Sequence, residues 1–224
     1  MEYVISLGGS VIFPKNIDTI YLRKFKKVVL NFIKKRGNKL MIICGGGRMS
    51  RDYQKAAGKI AKLNLEDVDW LGIHSTRLNA HLLRTIFRGY AYKRVLKDPT
   101  EKLRLKEKIL IAAGWKPGWS TDYDAVLLAK NFGVNTVINI SNINYVYDKD
   151  PKRYNNAKKI KNISWKGYRK ISGNEWKAGL NAPFDPVAAK EAEKSKLRII
   201  IIGKNLKNFE DLLNNRKFEG TIIE

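Results

Sequence analysis

Five short runs along the chain are almost wholly apolar: YVISL (residues 3 to 7), LMIIC (40 to 44), KILIA (108 to 112), TVINI (136 to 140) and RIIII (198 to 202). They are rich in β-branched residues and bounded by Gly, Asn or Lys, the pattern of strands buried on both faces. Between them the apolar positions shift to helical spacing. In TIYLRKFKKVVLNFIKKRG, Ile20, Phe25, Val28, Val29, Phe32 and Ile33 fall near one helical face, and Gly37 provides a C-terminal stop. MSRDYQKAAGKIAKL and DWLGIHSTRLNAHLLRTIFRG read as helices, and TDYDAVLLAKNFG as another that Ser120 or Thr121 can cap. PVAAKEAEKSK is a fifth, opened by Asp185-Pro186, because proline suits the first helical turn. Strands separated by helices need crossover connections. The pattern therefore predicts an α/β fold, a three-layer αβα sandwich around a mainly parallel open sheet. No repeat, low-complexity tract or Pro/Gly/Ser linker interrupts it, so residues 1–224 are expected to form a single domain. The polar stretch from about 148 to 182 fits least well and is expected to be an inserted flap or hairpin.

Composition narrows the picture. No window approaches the roughly 20 apolar residues of a membrane span, and MEYVISL lacks the basic start and long apolar core of a signal peptide. A soluble, cytoplasmic protein without a membrane partner is expected. Cys44 is the only cysteine, so an intramolecular disulfide is excluded, and its place at the end of an apolar run marks a buried structural thiol. Lys and Arg number 44 against 21 Asp and Glu, a formal charge of +23, which favours anions as partners. The charge does not choose among nucleotides, nucleic acid and anionic surfaces. Because the lysines are spread along the chain (KFKK, NFIKKRGNK, LRLKEK, NAKKIKN), most read as solvated faces, and a specific nucleic-acid partner is not favoured.

In an open parallel sheet, ligands gather at the carboxyl ends of the strands. Four loops qualify. LGGS (7 to 10) and CGGGRMSR (44 to 51) each follow a strand and precede a helix, where glycines allow backbone N–H groups close to a phosphate. Neither has P-loop or GxGxxG spacing, and each alone is compatible with a tight turn. Two such loops on adjacent strands would suit a phosphate donor and a phosphate acceptor, with Arg51 able to fork onto a phosphate. The third loop, AAGWKPGWSTDYDA (112 to 125), offers the flat faces of Trp115 and Trp119 and donors at Ser120 and Thr121. Asp122 and Asp124, two apart, cannot share a helix face, so at most one points into a site there. The fourth is ISNINYVYDKDPKRY (140 to 154), with Ser141, Asn142, Tyr147 and Asp150. His74 and His81 share a helical face without a third ligand nearby, which argues against a metal site, and no serine has a His base with an acid partner.

The ordered series LGGS, CGGGRMSRDY, DWLGIHSTRLNAHLL, GWKPGWSTDYDAVLLA, NINYVYDKDP, FDPVAAKEAEKSKLRIIIIG and GTIIE resembles the uridylate kinases of the amino acid kinase family, especially the short archaeal type. The resemblance runs nearly end to end. It implies the amino acid kinase fold, transfer of the γ-phosphate of ATP to UMP, a Mg2+ requirement and a hexamer. By motif, Gly9, Ser10, Gly47 and Arg51 would lie along the ATP phosphates, while Ser141, Asn142, Tyr147 and Asp150 would hold the adenine nucleotide. Gly46 and Asp69 would contact UMP, and the loop Trp115, Lys116, Pro117, Gly118, Trp119, Ser120 and Thr121 would wrap it. Asp122 and Asp185 would organise Mg2+ and the catalytic charges, with no residue assigned as a direct metal ligand. In-line phosphoryl transfer needs mainly positioning and positive charge, which agrees with the residues themselves.

Some positions depart from the family. Many members have a Lys where Ser6 stands, and the NVDGVY segment reads NINYVY, placing Asn144 and Tyr145 where an Asp and a Gly are usual. Tyr145 is expected to strain a backbone that favours Gly. A family Gly pair reads Ala113-Gly114, and Lys177 is a candidate replacement for the missing cation. Two further functions stay open: a kinase for another small phosphorylated acceptor such as isopentenyl phosphate, disfavoured because neither His lies in the glycine loops, and a non-catalytic nucleotide- or oxyanion-binding protein of the same fold.

Overall fold

The computed structural model describes residues 1–151, 153–173 and 182–224, so Lys177 lies outside the described residues. The strands, in chain order, are β1 (Glu2–Leu7), β2 (Lys39–Cys44), β3 (Ile109–Ala112), β4 (Thr136–Ser141), β5 (Val146–Tyr147), β6 (Lys159–Ile160), β7 (Asn162–Ile163), β8 (Arg198–Gly203) and β9 (Thr221–Ile223). The helices are α1 (Gly9–Ile12), α2 (Thr19–Lys34), α3 (Gly47–Ile60), α4 (Leu65–Ile86), α5 (Thr121–Phe132), α6 (Trp165–Ser172), α7 (Pro186–Lys194) and α8 (Leu206–Leu213).

All five apolar runs are strands of one sheet, ordered β3-β2-β1-β4-β8-β9-β7. From β3 to β8 every pairing is parallel, and β9 returns antiparallel to β8. Successive strand residues point to opposite layers. Ile5, Leu7, Ile42, Ile138 and Ile140 pack against α2, α4 and α8 through residues such as Phe25, Leu83 and Phe209. Val4, Met41, Ile43, Val137 and Ile199 pack against α5, α6 and α7 through Leu128, Tyr168 and Ala188. This is the expected αβα sandwich. Cys44 is buried in it, and desolvation pushes its thiol well above the ordinary range, which removes it as a nucleophile.

Three details differ from the sequence pattern. Ile20 is 68% exposed, whereas Tyr21 and Leu22 join the core, because a residue five before Phe25 is rotated roughly 140° from it on a helix. The polar stretch does include a hairpin, but it begins earlier, pairing Val146–Tyr147 with Lys159–Ile160, and is followed by β7 and α6. Helix α8 and strand β9 were not in the strand-and-helix pattern at all, yet α8 contributes Phe209, stacked on Phe25 at 5.8 Å between ring centroids.

The connectivity positions the site. From β1 the chain moves outward through β2 to β3, then crosses back to β4 and outward again to β8. Strand order therefore reverses between β1 and β4, and a crevice opens at their carboxyl ends.

Candidate active site

Two glycine loops border this crevice. Gly8 N–H donates to Ile140 O at 2.8 Å and Gly45 N–H to Leu7 O at 2.9 Å, extending the β1 ladder on each side into the loops. The loops then meet backbone to backbone. A Cβ on Gly9 would lie 2.2 Å from Gly47 N, and one on Gly47 would lie 2.2 Å from Gly9 C, so no side chain fits at either position. Gly47 also has φ +67°. The amides that open α1 and α3 have no acceptor inside their helices and face the same end of the sheet. From α4, the buried Asn79 fixes the second loop by donating to Gly45 O at 2.8 Å and Gly46 O at 3.4 Å.

A carboxylate cluster lies beside the loops. Ser6 in β1 and Asn139 in β4 are register partners in adjacent strands, and both donate to Asp122 Oδ1, at 2.8 and 2.9 Å. Asp185 N–H donates to the other oxygen, Oδ2, at 3.3 Å. Asp185 itself caps α7 through Val187 N–H at 2.7 Å and accepts from the Ser120 hydroxyl, whose oxygen in turn caps α5 through Tyr123 N–H. Behind it, the buried Tyr168 hydroxyl donates to Phe184 O at 2.6 Å and accepts from Phe184 N–H at 2.8 Å, clamping the residue before Asp185. Burial pushes the Asp122 carboxyl up to about 6, with the Ser6 hydrogen bond opposing and the Asp185 charge adding. Burial also raises Asp185, against hydrogen bonds from Ser120 and from backbone N–H groups.

The third loop is held from two sides. Asp124 points away from Asp122 and accepts Trp115 N–H at 3.1 Å, so the second carboxylate of the pair anchors the loop. Desolvation pushes it up to about 7, opposed by that hydrogen bond. From α4, Thr76 Oγ1 accepts Gly114 N–H at 2.8 Å, Arg77 donates to Trp115 O at 2.9 Å, and Asp69 Oδ2 accepts Gly118 N–H at 2.7 Å. The pair Ala113-Gly114 is thereby explained: a Cβ at 114 would meet Thr76 Oγ1 at 2.9 Å, whereas Ala113 is buried among apolar neighbours. Lys116 Nζ lies 4.0 Å from the centre of the Trp115 ring, and Trp119 stacks on Tyr123 at 4.2 Å, so each indole already has one face covered. Pro117 and Gly118 make the turn, and Thr121 opens α5.

The fourth segment extends from β4 into the β5–β6 hairpin. Ser141 Oγ accepts Ile143 N–H at 3.2 Å, Asn142 is exposed, Tyr147 lies in β5, and Asp150 O accepts the N–H groups of Arg153 and Tyr154. The expected strain at Tyr145 is absent: its φ is not positive, its ring is buried, and Lys159 Nζ lies over it at 5.0 Å. Asn144 abuts Gly203 so closely that a Cβ there would fall 1.8 Å from its Oδ1.

Gly9, Ser10, Gly46, Gly47, Ser120, Thr121, Asp122 and Asp185 thus converge at the β1/β4 crevice. Arg51 is exposed at the start of the second turn of α3, beside an Arg48–Asp52 ion pair at 3.2 Å. His74 lies against Trp70, and among the described residues no cluster of His, Cys, Asp or Glu could hold a metal by itself. Sequence reasoning missed Asn139 and Asn79. Both are polar interruptions of apolar patterns, Asn139 inside TVINI and Asn79 on the inner face of LNAHLL, and that was the available signal.

This geometry has close counterparts. A uridylate kinase from Methanococcus aeolicus is 36% identical over 232 residues, spanning all of this chain and 99% of its own. Another, from Thermococcus sibiricus, is 34% identical over 229 residues, with both chains fully covered. The crystal structure of uridylate kinase from Archaeoglobus fulgidus superposes over the whole of both chains with a TM-score of 0.86 at 31% identity. The model of the amino acid kinase family matches residues 1–203. With the sandwich, the paired glycine loops and the end-to-end relatives in agreement, this chain belongs to the amino acid kinase family.

Proposed function

We propose that the protein is an ATP-dependent UMP kinase, working as a single domain over residues 1–224. The observation that carries it is the backbone contact between the glycine loops of β1 and β2 beside a carboxylate held by Ser6 and Asn139. Full-length relatives named uridylate kinase supply the acceptor.

In the reaction, a phosphate oxygen of UMP attacks the γ-phosphorus of ATP as the bond to the β,γ-bridging oxygen breaks, giving UDP and ADP. The attacking phosphate oxygen carries no proton at neutral pH, so no general base is needed, and catalysis is positioning and charge management. The amides of Gly9, Ser10 and Gly47 line the ATP phosphates, with Arg51 reaching them from α3. Ser141, Asn142, Tyr147 and Asp150 hold the adenine nucleotide. Gly46, Asp69 and the loop Trp115, Lys116, Pro117, Gly118, Trp119, Ser120 and Thr121 hold UMP. Two adjacent carboxylates, Asp122 and Asp185, are a hard-oxygen donor set suited to Mg2+ that arrives on nucleotide phosphates rather than in an all-protein cage. Mg2+ would supply charge neutralisation on those phosphates. A homohexamer in the cytoplasm completes the proposal. For the location, the supporting fact is that no helix of the described residues is long and apolar enough to cross a membrane.

The non-catalytic alternative drew on Ser6, Asn144 and Tyr145. Ser6 is a hydrogen-bond donor to Asp122 and Tyr145 is a packed core residue, so neither substitution disrupts the crevice. The test is ADP release with MgATP against UMP, CMP, dTMP, AMP and isopentenyl phosphate, with binding followed by calorimetry. Turnover with UMP alone is expected. Nucleotide binding without turnover on any acceptor would refute the kinase assignment, and turnover confined to isopentenyl phosphate would replace the acceptor.

A further inference from the structure

The sequence spreads its positive charge along the whole chain, but the fold concentrates part of it. Helix α2 carries Arg23, Lys24, Lys26, Lys27 and Lys34 and no acidic residue. Its inner face is spent on the core through Leu22, Phe25, Val29 and Phe32, so the cations are forced to the outer side. There Arg23, Lys26, Lys27 and Lys34 border a groove of about 720 Å³ whose far wall is Tyr90 and Lys108. Leu30 and Ile33 form part of its lining, and no acidic side chain does. Among the described residues, none of these five cations has a carboxylate within ion-pair distance. Lys108 Nζ donates to Ile33 O at 2.7 Å, which fixes the wall without neutralising it. Tyr90 is 49% exposed.

Lys108 immediately precedes β3, at its amino end, while the candidate active site occupies the carboxyl ends of the strands. The groove is therefore separate from the nucleotide crevice. From Arg23 to Lys34, eleven residues apart, α2 rises about 16 Å, long enough for its cations to follow several phosphates of one strand.

We infer that this groove binds single-stranded RNA, with the cations on α2 and Lys108 meeting backbone phosphates and Tyr90 stacking against an unpaired base. Cations without a carboxylate partner, beside an exposed aromatic ring and apolar side chains, match a chain of phosphates with accessible base faces. A duplex keeps its bases stacked and leaves Tyr90 without a partner. An anionic membrane offers a flat surface that does not enter a concave groove.

The test is fluorescence anisotropy with a labelled, mixed-sequence RNA of about 15 nucleotides, between about 50 and 200 mM salt, with saturating UMP and ADP present to occupy the active site. Wild-type protein is expected to bind, with affinity falling steeply with salt. The triple variant Arg23→Gln, Lys27→Gln, Lys34→Gln is expected to bind at least about tenfold more weakly, with a log–log salt slope flatter by about 2, from about 0.7 per lost contact over three cations. A control triple with the same charge change on α6 and α7, Lys166→Gln, Lys170→Gln, Lys194→Gln, is expected to bind like wild type. Tyr90→Ala is expected to weaken binding without changing the slope, and UMP turnover is expected to stay at the wild-type rate in all of these variants. The inference is overturned if wild type does not bind, if both triples lose affinity equally, if UMP and ADP displace the RNA, or if duplex or phosphatidylserine vesicles compete as well as single strands.

Discussion

Asp122 has one partner set in the folded protein and none in the unfolded chain, which makes its titration measurable as stability. Its carboxyl rises from an ordinary 3.8 to about 6, mainly through burial. A folded-state value above the unfolded one means that the native protein holds the proton more tightly. The contribution to stability is therefore whole below about pH 4, declines as pH rises, and is gone above about pH 6, a difference of about 2–3 kcal/mol. The perturbation is Asp122→Asn, which removes the titration and keeps the shape. Urea unfolding of both proteins from about pH 4 to pH 8 follows it, because groups remote from Asp122 titrate alike in the two and cancel in the difference, whereas Asp124, which is raised in part by the Asp122 charge, adds a smaller change of its own. Wild type is expected to lose about 2–3 kcal/mol relative to the variant across that interval, and parallel stability curves would refute the argument.

The same variant separates structure from catalysis. Its turnover is expected to fall by far more than its UMP affinity changes, since Asp122 sits at the crevice and not in the loop assigned to UMP. Unchanged turnover would remove Asp122 from the catalytic set.

Four further substitutions probe the surrounding frame. Gly47→Ala forces a Cβ to 2.2 Å from Gly9 C at φ +67°, and is expected to cost about 2–4 kcal/mol in thermal or urea unfolding and to abolish ATP binding by calorimetry. Asn79→Ala leaves Gly45 O without its side-chain partner, and is expected to cost about 1–3 kcal/mol and to lower kcat/KM for UMP. Tyr168→Phe strips both Phe184 backbone groups of their partner, and is expected to cost about 2 kcal/mol or more and to slow turnover by loosening Asp185. Arg51→Ala is expected to raise the ATP KM at unchanged stability, and no effect on ATP would leave Arg51 as a surface residue.

How much of this was legible depended on whether the signal was local. The five parallel strands are short β-branched runs, and the glycine loops follow two of them, so layers, sheet and crevice could be anticipated from pattern alone. Strand β9 and helix α8 are short, three and eight residues: β9 is too brief to show an alternation, and although Leu206, Phe209, Leu212 and Leu213 recur at helical spacing in α8, two turns are a weak signal until they pack on α2. Asp122 and Asp124 had to diverge on helical geometry, but which of them faces the crevice depends on where β1 and β4 place Ser6 and Asn139. Tyr145 was misjudged because a family glycine suggested a positive φ, whereas the strand β5 that follows it draws the backbone into an ordinary conformation and buries the ring.

Ser6 sets the charge balance beside Asp122. Where relatives with a lysine would place a fixed cation beside the transferred phosphoryl, this chain places a neutral hydroxyl that donates to Asp122. Asn139, its register partner, is likewise a neutral donor. Among the described residues no lysine or arginine is hydrogen-bonded to Asp122, so burial dominates and its carboxyl stays raised instead of falling as an ion pair would make it fall. A carboxyl at about 6 is half ionised under mildly acidic conditions, and a cation placed beside it stabilises its charged form. In the proposed kinase reaction, Mg2+ carried in with ATP would lower the carboxyl, and the ionised carboxyl would in turn favour the cation.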